Sequence, residues 1–297
     1  MPARTMETAK IHVMADGTPL HYRIRRADRP QGVVVLLHGL ASNLTRWSEF
    51  VEQTRLRRTW DLLRIDLRGH GESMMRGRIG MEIWSNDLAD VLDAEGYPQA
   101  VLVGHSLGAH LALHFAARFP GRARGLVLID PVFPRALRGY RRWLMRLRGL
   151  LGAAAALVRL ANALGLRRRT FPRRDLRVLD EQVRAELLAA GNNREFVRRY
   201  SSMRADLVYF PVSHYLQELN EMLRPLPPLA ALDVPILVLL SRGVTYTDPA
   251  ATERLLDAAP NVERATIDAY HWPLTEQPQQ VREAIEAWFA RRFEPAA

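Results

Sequence analysis

The sequence predicts a doubly wound α/β fold, and three observations carry that prediction. Short β-branched and leucine-rich runs recur along the chain: residues 32–37 (GVVVLL), 62–67 (LLRIDL), 100–103 (AVLV), 125–129 (GLVLI) and 235–240 (PILVLL). These runs are continuously apolar rather than alternating, as strands are when helices cover both faces of a parallel sheet. The stretches between them have helical periodicity and lengths that suit βα crossovers.

Around that core the remaining elements fall into place. The first residues and Leu20 to Arg25 have the pattern of an antiparallel hairpin at one sheet edge. From Pro131 to about Val234 the strand rhythm stops and the composition turns to Arg, Leu and Ala, so residues 131–234 are expected to form a helical insertion into a core made of 1–130 and 235–297. The core resumes with a helix near 250–258, a short strand near 265–268 and a final helix over about 278–293.

Composition narrows the class. With 48% hydrophobic and 25% charged residues the chain has the balance of a globular protein, not of a disordered or fibrous one. It contains no cysteine, so a disulfide framework, a thiolate metal site and a cysteine nucleophile are all excluded. The amino-terminal residues lack the apolar core and small-residue cleavage site of a signal peptide, and no apolar run approaches the length of a membrane span; the expectation is a cytoplasmic protein. The formal net charge of +10 is carried almost entirely by arginine, which suits an acidic partner such as phospholipid or nucleic acid. No helix-turn-helix, aromatic-interleaved sheet or zinc module accompanies the charge, so nucleic acid is not the expected partner.

The chemistry is concentrated in a few motifs. After the AVLV run comes Gly104-His105-Ser106-Leu107-Gly108, followed directly by the helical AHLALHFAARF. A serine on so tight a strand-to-helix turn has a strained backbone, and the flanking glycines give the turn room. The hydroxyl is thereby lifted above the sheet at a helix N-terminus, where the Leu107 amide can point at a developing oxyanion. His110 and His114, four apart on the next helix, have the spacing of a zinc pair but lack the glutamate and third ligand of such a site.

In the same order and at similar spacing, His38-Gly39, then Asp66-Leu67-Arg68-Gly69-His70-Gly71-Glu72-Ser73, then the GHSLG elbow resemble the α/β-hydrolase superfamily, its serine hydrolases with a helical cap in particular. The resemblance covers residues 32–130 and 235–293. It implies Ser106 as nucleophile, the Leu40 and Leu107 amides as oxyanion hole, a structural role for the DLRGHGES segment, and His271, in Asp268-Ala269-Tyr270-His271-Trp272-Pro273, as general base. The acid is open. Its usual position falls on Val244; Asp130, ending the LVLID strand, and Asp248, which also suits an N-cap before Pro249, are the two alternatives, with Asp130 preferred.

The implied reaction is carboxylic-ester hydrolysis by acyl transfer, with an apolar or lipid-like acyl chain and no cofactor. Serine at the elbow disfavours the dehalogenase and epoxide-hydrolase branches, which use aspartate, and leaves open C–C bond, amide and peroxy-acid chemistry, or an inactive scaffold acting as a binding module. In the insertion, residues 137–151 plot as an amphipathic helix, with Arg138, Arg141, Arg142, Arg146 and Arg148 opposite Leu137, Trp143, Leu144, Leu147, Leu150 and Leu151. That helix either packs its leucines on the core or rests on anionic lipid, the second reading being supported by the run from Gly149 to Val158 and by Arg167-Arg168-Arg169 with Arg173-Arg174.

Overall fold

The computed structural model describes residues 7–139, 145–190, 202–243 and 247–293. Eight strands, β1 Thr8–Val13, β2 Pro19–Arg25, β3 Val33–Leu37, β4 Asp61–Ile65, β5 Ala100–His105, β6 Ala123–Ile129, β7 Ile236–Ser241 and β8 Val262–Ile267, form one sheet in the order β1-β2-β4-β3-β5-β6-β7-β8. The β1–β2 hairpin pairs antiparallel and joins β4 antiparallel; every other pairing is parallel. The expected edge hairpin and all five apolar runs are strands of this sheet.

The continuous apolar runs have a direct explanation in the core. Val33, Val35 and Leu37 of β3, Leu102 of β5 and Leu126 and Leu128 of β6 enter one cluster together with Leu111 and Phe115 of helix α3 (Leu107–Arg118) and Trp84 and Leu88 of helix α2 (Met81–Ala94). The alternate residues Val34, Leu36, Val101, Val103, Val127 and Ile129 face the opposite cluster, with Phe50 and Val51 of helix α1 (Ser48–Gln53) and Ile285, Trp288 and Phe289 of the last helix (Pro278–Phe293). At roughly 1.5–3 kcal/mol for each large aliphatic side chain removed from water, neither strand face can be polar without a large loss.

Between β6 and β7 the chain leaves the sheet. Its described helices there are α4 Arg148–Ala163, α5 Leu176–Ala190, α6 Met203–Tyr209 and α7 Val212–Met222, after which α8 Pro249–Asp257, α9 Pro273–Glu276 and α10 Pro278–Phe293 complete the chain. The segment is tied to the sheet by a buried ion pair between Arg46 and Asp180 of α5, closed by Thr275 of α9, which accepts from Arg46 at 2.6 Å and donates to Asp180 at 3.0 Å. Asn43 donates to the Arg174 carbonyl at 2.8 Å nearby.

The expected helix over 137–151 departs from the periodicity at its start. Leu137 is extended and bridges Thr247, Gly139 has φ 55°, and helix α4 runs from Arg148; residues 140–144, which include Arg141, Arg142, Trp143 and Leu144, lie outside the described residues. Pairing Leu137 with Thr247 uses backbone that a helix would need. The periodic pattern counted side chains and could not register that competition.

Two side chains of the DLRGHGES segment are taken up in structural contacts. Asp66 accepts from the amides of Leu44 and Glu72 at 2.7 and 2.9 Å, and Arg68 forms a two-pronged contact with Asp87 at 2.8 and 2.7 Å. At the elbow, a Cβ on Gly104 would stand 2.2 Å from the Gly108 carbonyl oxygen, and one on Gly108 would stand 2.3 Å from that of Leu37. The blocking atoms are backbone and have nowhere to go. Gly108→Ala is therefore expected to lower the urea unfolding free energy by about 3 kcal/mol, the upper part of the overpacking range, whereas Gly149→Ala, in open space on α4, leaves it unchanged or higher; equal losses would contradict the packing argument.

Candidate active site

Three strand ends build the site. At the end of β5 the chain turns directly into α3, and Ser106, between them, takes φ 51° and ψ −109°. Its amide donates to the Ile129 carbonyl at 3.0 Å, so the turn is stitched to the neighbouring strand β6. Leu107 is the first residue of α3, and its amide therefore has no acceptor within the helix. Beside it, a Cβ on Gly39 would lie 3.6 Å from Ser106 Cβ, which places the loop carrying Leu40 against the serine.

At the end of β6, Asp130 also has a positive φ, 45°, and is buried. Its amide donates to the Leu239 carbonyl at 2.7 Å while its Oδ1 accepts from the Ser241 amide at 3.1 Å, so the carboxylate is held by the adjacent strand β7. Its other oxygen, Oδ2, accepts from His271 Nδ1–H, and the opposite nitrogen, Nε2, lies 3.2 Å from Ser106 Oγ. With Nδ1 carrying the proton, Nε2 presents its lone pair as an acceptor for the hydroxyl. Residues 106, 130 and 271 are thus joined in one hydrogen-bonded line.

Asp248 is not part of it. As the N-cap of α8 it accepts from the Ala251 amide at 2.9 Å, and its Oδ2 meets Arg138 Nε at 3.3 Å; the cap hydrogen bond lowers its pKa. In this structure its carboxylate serves as a helix cap, the role an aspartate before Pro249 suggests. Val244 lies outside the described residues. His110 donates from Nε2 to the Val132 carbonyl at 2.7 Å.

Several residues that the sequence did not single out hold these groups in place. Glu276 of α9 accepts from the amides of Tyr270 and Trp272, each at 3.1 Å, and so clamps the loop on both sides of His271; burial raises its pKa against the pull of those two amides. His105 donates from Nε2 to the His271 carbonyl at 2.9 Å, and burial, aided by the neighbouring His271, pushes its pKa down to about 3, so it stays neutral. His38 donates to the Gly39 carbonyl at 2.9 Å and accepts from the Leu67 amide at 3.2 Å, which fixes the loop after β3.

The far side of that loop is held from the insertion. Ala41, with φ 47°, donates its amide to Glu218 Oε2 of α7 at 3.1 Å, and Glu218 Oε1 is hydrogen-bonded to His70 Nε2. Both side chains are fully buried. Burial raises the Glu218 carboxyl well above its ordinary value and pushes His70 down to about 4, so the pair is neutral, with the carboxyl O–H donating to the imidazole. Only the sequence distance of 148 residues hid this contact. Glu218→Gln can reproduce both bonds and should cost under about 1 kcal/mol, whereas Glu218→Leu strands the Ala41 amide and His70 Nε2 and should cost roughly 2–6 kcal/mol; urea titration of the two variants measures the difference.

The fold and this geometry can be set beside known proteins. The family model described as alpha/beta hydrolase fold matches residues 32–278. The sn-1-specific diacylglycerol lipase ABHD11 of Mus musculus is 24% identical over 279 residues, 92% of this chain and 85% of the relative. Epoxide hydrolase 3 of Xenopus tropicalis is 32% identical over 133 residues, covering 44% of this chain and only 35% of the relative. Among solved structures, a thermophilic esterase from Thermogutta terrifontis superposes with a TM-score of 0.67 at 24% identity, over 96% of this chain and 98% of the other, a likeness of fold. With a family match over more than half its length and a sheet of the corresponding architecture, the chain belongs to the α/β-hydrolase fold family.

Proposed function

We propose that this protein is a serine hydrolase that cleaves carboxylic esters with apolar acyl groups. The observation that carries the reading is the continuous line from Ser106 Oγ through His271 to Asp130, assembled at the carboxyl ends of β5 and β6 from a loop 141 residues beyond the acid. In an inert scaffold nothing requires an imidazole to bridge a buried carboxylate and a strained serine.

The mechanism follows from the donors. As Ser106 Oγ attacks the carbonyl carbon, its proton passes to His271 Nε2, and Asp130 stabilises the resulting imidazolium through Nδ1–H. The carbonyl oxygen becomes an alkoxide facing the amides of Leu107 and Leu40. Collapse of the tetrahedral intermediate transfers the proton from Nε2 to the leaving alcohol. Water, deprotonated by the same imidazole, then attacks the acyl-enzyme and restores Ser106.

The insertion between β6 and β7 serves as the cap in this reading. Two cavities of about 690 and 530 Å³ lie beneath and beside it and share Met74, Arg169, Phe171 and Phe210 as walls; the smaller reaches Ala41, next to Leu40. Neither is walled by Ser106 or His271, so neither is the reaction chamber itself. The name of the mouse relative, a diacylglycerol lipase, agrees with an acyl ester of this kind. The epoxide-hydrolase relative does not argue for epoxide opening, because the elbow residue here is serine.

A fluorophosphonate probe is expected to label the wild-type protein and to spare Ser106→Ala; an unlabelled wild type would assign the fold to a binding role. On p-nitrophenyl esters, Asp130→Asn should lower kcat/KM by roughly 10³–10⁴-fold, since the imidazole loses both its orientation and its counter-charge, while Asp248→Asn leaves the rate within about threefold and acts on stability alone. The opposite ranking would transfer the acid to Asp248. Activity rising with acyl length in the same assay supports the apolar substrate, and a preference for acetate would remove it.

A further inference from the structure

Helix α4 turns its polar residues inward and most of its leucines outward. Beside the buried Ala155 and the half-buried Leu151 and Val158, Arg148 donates to the Asn220 carbonyl at 3.1 Å, Arg159 to Gln217 Oε1 at 3.4 Å and Asn162 to Ser213 Oγ at 3.3 Å, all on α7. Its outward side carries no charge. Leu150, Leu157 and Leu160 on the helix are 66%, 68% and 58% exposed, and Leu164 and Leu166 just beyond it are 76% and 75% exposed. At 100° per residue Leu150, Leu157, Leu160 and Leu164 fall within an arc of about 80°, and the other exposed positions of the helix are glycine or alanine. A helix of a globular protein turns the other way, with leucines in and arginines out. A contiguous apolar face of this kind marks a surface that is covered in use.

The surrounding charge says by what. Between Asp130 and Asp175 the sequence holds twelve arginines and no acidic residue. The leucine face is flanked at its start by exposed Arg146 and at its end by exposed Arg167, Arg168 and Arg169. A second copy docking through the same face would set basic ends against basic ends whether the two helices ran parallel or antiparallel. An anionic bilayer complements both features at once, accepting leucines at the acyl boundary and arginines among the phosphates. Among the described residues no helix is long and apolar enough to cross a membrane, so the contact is peripheral.

We propose that the outward face of α4, with Leu150, Leu157, Leu160, Leu164 and Leu166 as its apolar row and Arg146 and Arg167 to Arg169 as its basic rim, docks the protein on anionic phospholipid surfaces. The docking surface does not depend on the chemistry at Ser106. It has a consequence for it, though: Leu166 and Arg167 to Arg169 also wall the 690 Å³ cavity, together with Val158 and Val212, so that cavity borders the leaflet when α4 rests on it.

Flotation of the full-length protein with vesicles tests this directly. Wild type should float with phosphatidylcholine vesicles containing phosphatidylglycerol and not with phosphatidylcholine alone, and binding should weaken at least tenfold between 50 and 500 mM salt as the arginines are screened. The double variant Leu157→Ser, Leu160→Ser should lose at least tenfold in partitioning at low salt, and Arg167→Gln, Arg168→Gln, Arg169→Gln should lose the preference for anionic lipid. The serine variant, whose positions wall neither cavity, keeps the wild-type thermal transition and the wild-type turnover of a soluble short-chain ester, which separates failure at the surface from failure at the catalytic site. Absence of flotation at low salt overturns the proposal, as does undiminished flotation of the serine variant. A dimer that the serine variant dissociates, in the absence of lipid binding, assigns the face to a second copy and overturns it equally.

Discussion

The strand-to-helix turn at Ser106 is the constraint on which the site depends. A non-glycine residue at φ 51° costs on the order of 1–3 kcal/mol, and the cost is met only because the surroundings leave the backbone no alternative: Gly104 and Gly108 are pressed against other backbone, and the Ser106 amide is bound to β6. Among the described residues the non-glycine positions with positive φ are Ala41, Ser106 and Asp130. They follow β3, β5 and β6, three adjacent strands of the sheet. Strain is collected at one edge, and the amide of each strained residue donates a hydrogen bond to a different neighbour: Ser106 to Ile129, Asp130 to Leu239 and Ala41 to Glu218.

This explains which parts of the site were legible. The elbow is a local device, encoded in five consecutive residues and the apolar runs on either side, so Ser106 and Leu107 could be read directly. The choice between Asp130 and Asp248 was not local. The geometry that favours Asp130 comes from the pairing of β6 with β7, which brings the Ser241 amide to Asp130 Oδ1 and turns Oδ2 toward His271, and from the capping of α8, which uses Asp248. About a hundred residues of insertion separate those strands in sequence, and no periodicity reports a register across such a gap.

The supporting carboxylates were harder still to foresee. Glu276 stands in an ordinary helical context, and nothing in PLTEQP distinguishes it from a solvated glutamate. What makes it matter is that the amides of Tyr270 and Trp272 have no strand or helix to satisfy them; a half-buried acceptor in that place both answers the backbone and fixes the imidazole between them. Glu218 does the same for Ala41 from the opposite side. The two glutamates thus position the loops carrying the proposed base and the proposed oxyanion donor, and both are visible only once the chain is folded.

The insertion shows a different failure: the amphipathic pattern was read over 137–151, whereas the helix that turns leucines out is α4, Arg148–Ala163. Segregation of arginine from leucine is readable in sequence, yet it does not say which side faces inward; the common rule sends leucine to the core. Here α7 presents Ser213, Gln217 and the Asn220 carbonyl to α4, groups that arginine and asparagine can satisfy and leucine cannot. Burying leucine against them would strand polar groups at about 1–3 kcal/mol each, a penalty comparable to the gain of burying each leucine. The orientation of the helix is therefore set by its neighbour's polarity, and the leucines are left outside as a consequence. A surface generated in this way is stable as a fold but unsatisfied toward water, and that residual exposure is what gives the insertion a use beyond covering the sheet.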